Sequence, residues 1–376
     1  MATAAIKWRA EVACKLCRNA AVKTKGQWLI AKIMKGRTEI AELGEFGLID
    51  RLTAKFQKKN SSTICGVGDD AAVIEASKDK AVVVSTDSML EGVDFDLTYF
   101  PPKHLGYKVV TKGISDVVAM NAVPEQITLS LGISSKISVE FLDDFYEGVE
   151  FACKEAGVDL AGGDTSASMT GFIVNITAVG RAKKSEITYR SRAKEHDLIC
   201  LTGNLGASYM GLRLLERERR VLQGIDNPQP QFEGYEYLLQ RYLKPRARYD
   251  MVESLRKEGI VPTSMIDITD GLSSEVLQIC KASKCGARIY LERIPLAQQT
   301  TKLAEEMNID PVIAALNGGE DYELLFTVPL DMREKIMALG CIDIIGHITA
   351  ESTGAYLVTP DGKDIALQAQ GFTPKQ

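Results

Sequence analysis

The stretch Gly318-Gly-Glu-Asp-Tyr-Glu-Leu324 constrains this chain more than any other. Two glycines release the backbone, carboxylates come next, and the chain then enters an apolar run through Leu324, Leu325, Phe326 and Val328. That is the pattern of a buried strand reached through a tight acidic turn. Acids recur in similar settings at Gly68-Asp69-Asp70, Thr86-Asp87, Ser115-Asp116, Gly163-Asp164 and Asp267 to Asp270. Hard carboxylate oxygens gathered by turns suit Mg²⁺, and Mg²⁺ on a protein usually serves phosphate. The pattern points to a metal-dependent, phosphate-handling enzyme.

The rest of the composition narrows the field. At 376 residues the chain is long for one core, so two domains are expected. A net charge of −5, with no basic stripe in the body, argues against a nucleic-acid partner. A polyanionic substrate would then need cations to offset repulsion, which agrees with the acid clusters. No apolar run approaches the ~18 residues that span a bilayer. The cysteines are scattered, and Cys14 and Cys17 form a lone CxxC without a second pair or nearby histidines. Zinc is not expected, and a reduced cytoplasm is the better reading. None of His104, His196 and His347 neighbours a serine or cysteine in a triad pattern.

Residues 1–37 differ from the remainder of the chain. Nine basic residues from Lys7 to Arg37 are opposed only by Glu11. Such a leader is either a transit peptide or an extension outside the fold, as from a misassigned start, with Met34 as a plausible native start. From about Thr38 the chain reads as alternating helices and strands. Strands are expected at Ala81–Ser85 (feeding Thr86-Asp87), Gln126–Ile133, Phe172–Val179, Leu198 onward, Met265–Ile268, Ala287–Leu291, Tyr322–Val328 and Ile342–Ile348. Helices are expected at Lys103–Met120, at Val139–Glu155, through Met210, Leu214 and Leu215, and at Leu272–Lys281. Arg217–Tyr242 is polar and turn-rich and reads as an insertion or linker. The expected fold class is α/β (α+β) in two αβ lobes, divided into 38–185 and 186–376.

Asp116 is the sharpest single residue. It lies seven and eleven residues after Val109 and Leu105, so on a helix it shares their apolar face. A carboxylate there costs several kcal/mol unless it is paired or bound to a cation; the alternative is a helix that ends before it. Asp69-Asp70 comes after the flexible Gly66-Val-Gly68, Gly162-Gly-Asp-Thr165 reads as a strand end, and Asp270 is either a ligand or a helix N-cap. Two bare carboxylates 4 Å apart repel by about 4 kcal/mol at an effective dielectric near 20, so acids that converge need cations to share. Neither a GxxxxGK[ST] loop nor the HRD and DFG motifs of protein kinases are present.

Taken as an ordered set, Gly66-Val-Gly-Asp-Asp70, Thr86-Asp87 with Glu91-Gly-Val93, Ser115-Asp116-x-x-Ala-Met120, Gly162-Gly-Asp-Thr165, Ile266-Asp-Ile-Thr-Asp-Gly271 and Gly318-Gly-Glu-Asp-Tyr-Glu-Leu324 resemble the thiamine-monophosphate kinases. The resemblance covers roughly Glu42 to Phe372, within a superfamily that includes aminoimidazole ribonucleotide synthetase and selenophosphate synthetase. It implies transfer of the ATP γ-phosphoryl group to thiamine monophosphate, several Mg²⁺ ions, a cytoplasmic location, and a homodimer in which N-terminal strands pair across subunits. It implies metal ligands at Asp69, Ser85, Thr86, Asp87, Asp116, Asp164, Asp267 and Asp270. It places Tyr146, Gly163, Asp164, Arg190 and Thr269 against ATP, Glu320 and Phe372 against the thiamine moiety, and Asp94 at a substrate contact. No general base is implied, since the acceptor is already a phosphate. Asp94 stands where the family often has histidine, Lys112-Gly113 where Val-Asn is common, Thr269 where serine is common and Phe372 where tryptophan is common. The alternatives are another ATP-dependent member of the superfamily with a different acceptor, or a nucleotide-binding protein without turnover.

Overall fold

A computed structural model describes residues 40–55, 59–224 and 229–369. The leader 1–37 and Phe372 lie outside the described residues. Two compact units are present: helix α1 (Ile40–Thr53) falls in the first, and residues 57–370 form the second, which carries both sheets and the acidic motifs.

The sheets of the second unit are both mixed. Its elements are β1 (Thr63–Cys65), β2 (Ala72–Glu75), β3 (Lys80–Leu90), α2 (Pro102–Ala119), β4 (Val123–Ile133), α3 (Val139–Ala156), β5 (Asp159–Ala167), β6 (Ile173–Lys183), β7 (Leu198–Thr202), α4 (Ala207–Leu222), α5 (Glu236–Leu243) and α6 (Tyr249–Lys257). They continue with β8 (Ser264–Asp267), α7 (Leu272–Ser283), β9 (Cys285–Tyr290), α8 (Gln298–Glu306), α9 (Pro311–Asn317), β10 (Leu324–Val328), α10 (Arg333–Leu339), β11 (Ile342–Ala350), β12 (Ala355–Val358) and β13 (Asp364–Ala366). The first sheet runs β1-β2-β3-β6-β4-β5 and the second β13-β12-β9-β11-β7-β10-β8.

Helix α2 positions the site. Pro102 pre-sets the backbone of its first turn, and Leu105, Val109, Ile114 and Val117 bury against the first sheet. A Cβ at Gly106 would meet Phe145 O at 2.0 Å, and one at Gly148 would meet Lys103 O at 1.8 Å, so α2 and α3 pack backbone to backbone. At its far end, Val118 and Ala119 join the core formed by Cys200, Met265, Leu324 and Phe326 of the second sheet. One helix thus belongs to both cores, and its last turns sit where the two sheets meet.

Several expectations need correction. Arg217–Tyr242 is helical at both ends: α4 continues to Leu222, and α5 buries Leu238 and Tyr242. Exposed polar residues on these helices, such as Arg219 and Arg220, give a composition that does not by itself separate a surface helix from a loop. Strand β3 runs on to Leu90, so Thr86 and Asp87 lie within it rather than after it. Asp164 sits in the middle of β5, an edge strand exposed along all of its length, so β5 carries none of the apolar alternation that marks a half-buried strand. Helix α7 is capped by the backbone of Gly271 without a side-chain cap, so Asp270 is not its N-cap.

Candidate active site

Acids from three separate motifs come together at the end of α2. Asp70, on the loop entering β2, Asp116 of α2 and Asp267, the last residue of β8, each place one carboxylate oxygen within 4.8 Å of the others. Ser85 of β3 donates to Asp116, and Ser115 donates across the sheet junction to Asp267. Asp87 lies two residues beyond Ser85, so β alternation sends both side chains to the same face of β3. Asp69 accepts from its neighbour's backbone (Asp70 N, 3.1 Å) and from Arg190 N at 3.2 Å.

The electrostatics are those of a crowded acid site. Burial, then the neighbouring charge of Asp70, pushes Asp69 up to about 7. The same two causes push Asp267 up to about 7. Burial, then Asp267, Asp87 and Asp70, lifts Asp116 well above the usual carboxylate range. Asp87 and Asp270 are also raised, chiefly by burial. One oxygen each of Asp70 and Asp87 is buried without a hydrogen-bond partner. Orphaned hard oxygens at this spacing fit Mg²⁺, which would remove the repulsion that now lifts these groups.

Arg190 closes one side. Its guanidinium pairs with Asp70, and its carbonyl is fixed by the hydroxyls of Ser264 (2.8 Å) and Ser283 (2.7 Å). The loop after β8 is held from beneath. Buried Glu275 accepts from Thr269 N at 3.1 Å and from Asp270 N at 2.8 Å.

The Gly318–Leu324 motif does two different things. Gly319 adopts φ +72°, and a Cβ there would meet Thr269 O at 2.3 Å, so the turn lies directly on the Asp267–Asp270 loop. Glu320 N donates to Thr269 O (2.8 Å), while the Glu320 side chain meets Lys108 Nζ at 3.1 Å. Lys108 is wholly buried, with its ammonium over the Tyr242 ring at 3.9 Å. Asp321 and Glu323 turn away into the scaffold. Asp321 accepts from Gly206 N and Ser208 N, and Glu323 pairs with Arg241 and Arg248 and accepts from Thr202.

The structure does not bring every candidate into this cluster. The Thr86 hydroxyl donates to Ile176 O on the other face of β3, leaving only its backbone toward the acids. Asp94 caps the turn after β3, accepting from Leu90 N at 2.8 Å. Gly163 and Asp164 lie on β5, separated from β3 by β6 and β4, about 14 Å away at ordinary strand spacing. Tyr146 stands on α3, the helix that touches β5, with its ring partly exposed.

Sequence reasoning missed Asp70 as a cluster member in favour of Asp69, although both stand in the same motif. It also missed Lys108, Glu275, Arg241 and Arg248. Lys108 was findable, since it precedes Asp116 by eight residues and shares its helical face. The others act through long-range contacts that no local pattern announces.

A two-sheet αβ chain with an arginine beside an acidic cluster able to hold a metal ion, where the sheets meet, has the site of a phosphate-handling enzyme. The family profiles described as AIR synthase related protein, N-terminal domain and C-terminal domain, match residues 68–182 and 194–359. The thiamine-monophosphate kinase of Buchnera aphidicola subsp. Schizaphis graminum is 35% identical over 340 residues, covering 88% of this chain and 98% of that protein. The Escherichia coli (strain K12) thiamine-monophosphate kinase is 33% identical, covering 88% and 97%. A solved structure of AaThiL complexed with AMPPCP and TMP has a TM-score of 0.77 and 30% identity, covering 90% of this chain and 100% of that one. The chain belongs to the AIR synthase-related family and, within it, to the thiamine-monophosphate kinases.

Proposed function

We infer that this chain transfers the γ-phosphoryl group of ATP to thiamine monophosphate, giving thiamine diphosphate and ADP. The observation that carries the reading is the convergence of Asp70, Asp116 and Asp267 at one point beside Arg190, in a chain that is about a third identical to curated thiamine-monophosphate kinases over nearly their whole length.

Positioning and charge neutralisation do most of the work in such a transfer, because the acceptor phosphate is already a nucleophile. Asp69, Asp70, Ser85, Asp87, Asp116, Asp267 and Asp270, with the Thr86 backbone, would hold the ions. Bound Mg²⁺ would supply charge neutralisation across the phosphates. Arg190 would present its guanidinium fork to the nucleotide's phosphate oxygens, with Thr269 beside it. Glu320, held by Lys108, would face the thiamine moiety, and Asp94 and Phe372 are the other proposed substrate contacts.

The remaining candidates motivate a homodimer. Strand β5 is a nine-residue edge with every residue exposed, and it contains neither lysine nor proline to discourage pairing. A second copy paired near this edge would cover it and bring Gly163, Asp164 and Tyr146 against the nucleotide site of the partner. We place the domain division at 38–185 and 186–376, with residues 1–37 outside the catalytic fold. A cytoplasmic location accords with the free thiols of Cys153, Cys200, Cys280, Cys285 and Cys341. Sedimentation tests the dimer, and a monomer with full activity contradicts it. Deleting residues 1–33 should leave activity and thermal stability near those of the full chain; a large loss of either contradicts that boundary.

The activity is tested by incubating the chain with ATP, thiamine monophosphate and Mg²⁺ and quantifying products. Thiamine diphosphate and ADP should appear in equal amounts and vanish in excess chelator. Turnover of a different phosphorylated acceptor, with none of thiamine monophosphate, overturns the reading.

A further inference from the structure

One face of α2 carries Lys108, Lys112 and Asp116 at successive intervals of four residues, about 6 Å apart along the helix. The two ends of this row are committed. Asp116 belongs to the acid cluster, and Lys108 is buried under two aromatic rings against Glu320. Lys112, between them, is not committed in the same way. Its Nζ lies 3.8 Å from Asp87 Oδ1 and 3.4 Å from Ser88 O, both at the outer limit of useful contact, and the side chain keeps 23% of its exposure. An ammonium has three donors, so capacity remains. Lys112 sits in the combined field of Asp87, Asp94, Glu320 and Asp116, that is, of acids assigned to the ions and acids assigned to the acceptor.

On the kinase reading of the site, which this inference rests on, the acceptor's order in space is fixed by its own chemistry. Its thiamine moiety lies toward Glu320, the transferred phosphoryl group lies over the acid cluster, and its own phosphate must fall between them. Along α2 that interval is occupied by Lys112. The ions held by the acid cluster would serve the transferred group, so the acceptor's own phosphate, toward Glu320, calls for a cation on its side, and the side chains otherwise assigned to the acceptor, Asp94, Glu320 and Phe372, include none. We propose that Lys112 binds the phosphate of the acceptor and gives the site its preference for a phosphorylated thiamine. The neighbouring Gly113 makes this placement possible. A Cβ there would meet Ile176 at 2.8 Å, so its absence lets α2 lie close on β6 while Lys112 reaches toward Asp87.

The test is calorimetric binding to the full-length protein, with Mg²⁺ and a non-hydrolysable ATP analogue present, using thiamine monophosphate and unphosphorylated thiamine as paired probes. Lys112→Met should weaken thiamine monophosphate at least about tenfold, leaving thiamine affinity and the KM for ATP close to wild type. Lys112→Arg keeps the charge and should retain affinity within about threefold, which separates loss of a contact from loss of fold. Equal weakening of both probes, a matching rise in the KM for ATP, or an unchanged affinity for thiamine monophosphate in Lys112→Met overturns the proposal while leaving the kinase reading intact. A wild-type protein that neither binds nor phosphorylates thiamine monophosphate brings down both.

Discussion

Two groups of buried acids lie close together in this molecule, and their surroundings differ in kind. Asp321 and Glu323 face Arg241, Arg248, two backbone amides and a threonine hydroxyl. Asp70, Asp116 and Asp267 face mostly one another, with serine hydroxyls and the guanidinium of Arg190. Burial pushes Asp321 up only to about 6, because Arg241 and the two amides pull it back, whereas Asp267 reaches about 7 and burial with the neighbouring acids lifts Asp116 well above the usual carboxylate range. Carboxylates with built-in cations are scaffold, and carboxylates bunched without enough of them are waiting for a ligand. The Gly318–Leu324 motif spans both kinds, since Glu320 turns to the site while Asp321 and Glu323 anchor the turn that presents it.

The comparison breaks most visibly at Glu323. Glu323→Ala strips both Arg241 and Arg248 of a buried partner and should cost about 3 kcal/mol or more. Urea unfolding should show this loss equally with and without Mg²⁺, and a loss under about 1 kcal/mol would mean the network is not scaffold. Asp116→Asn should behave in the opposite sense. Turnover should fall at least about tenfold, while the metal-free protein at pH 8 keeps or gains thermal stability because one member of a repelling set is neutralised. Unchanged turnover, or a marked loss of metal-free stability, contradicts the assignment.

The pH dependence sharpens the same contrast. Asp69 and Asp267 titrate near 7 in the folded chain against 3.8 unfolded, so the folded state holds protons that the unfolded chain has released. Their contribution is fully present below 3.8 and is lost as pH rises through about 7. Metal-free protein should therefore melt at least ~2 °C lower at pH 8 than at pH 5.5, and Mg²⁺ should abolish this difference by stabilising the pH 8 form. A metal-free melting temperature that climbs from pH 5.5 to pH 8 would show that paired acids elsewhere dominate.

Much of this site was legible in advance, for identifiable reasons. Asp116 stood out because a helical stripe of Leu105 and Val109 cannot bury a bare carboxylate without cause, and the structure does place it among other acids. The convergence of Asp267 with Asp116 was not readable from periodicity, since 151 positions separate them in the chain and only the fold brings them together; the ordered motif set supplied that. Helix α5 was illegible because a polar surface helix and a linker share a composition. Strand β5 was misplaced because an edge strand exposed along its whole length has no apolar alternation to read. Lys108 escaped because a lysine is expected at the surface, and it is Glu320 with the Phe100 and Tyr242 rings that makes its burial tolerable.

The central claim is that the Asp70–Asp116–Asp267 cluster is a cation site and the Asp321–Glu323 network is not. Calorimetric titration of the full chain with Mg²⁺ at pH 8 tests it most directly, comparing wild type with Asp116→Asn and Asp321→Asn. Wild type and Asp321→Asn should bind with matching affinity, while Asp116→Asn should bind at least about tenfold more weakly. Equal binding by all three proteins, or a loss confined to Asp321→Asn, would contradict it.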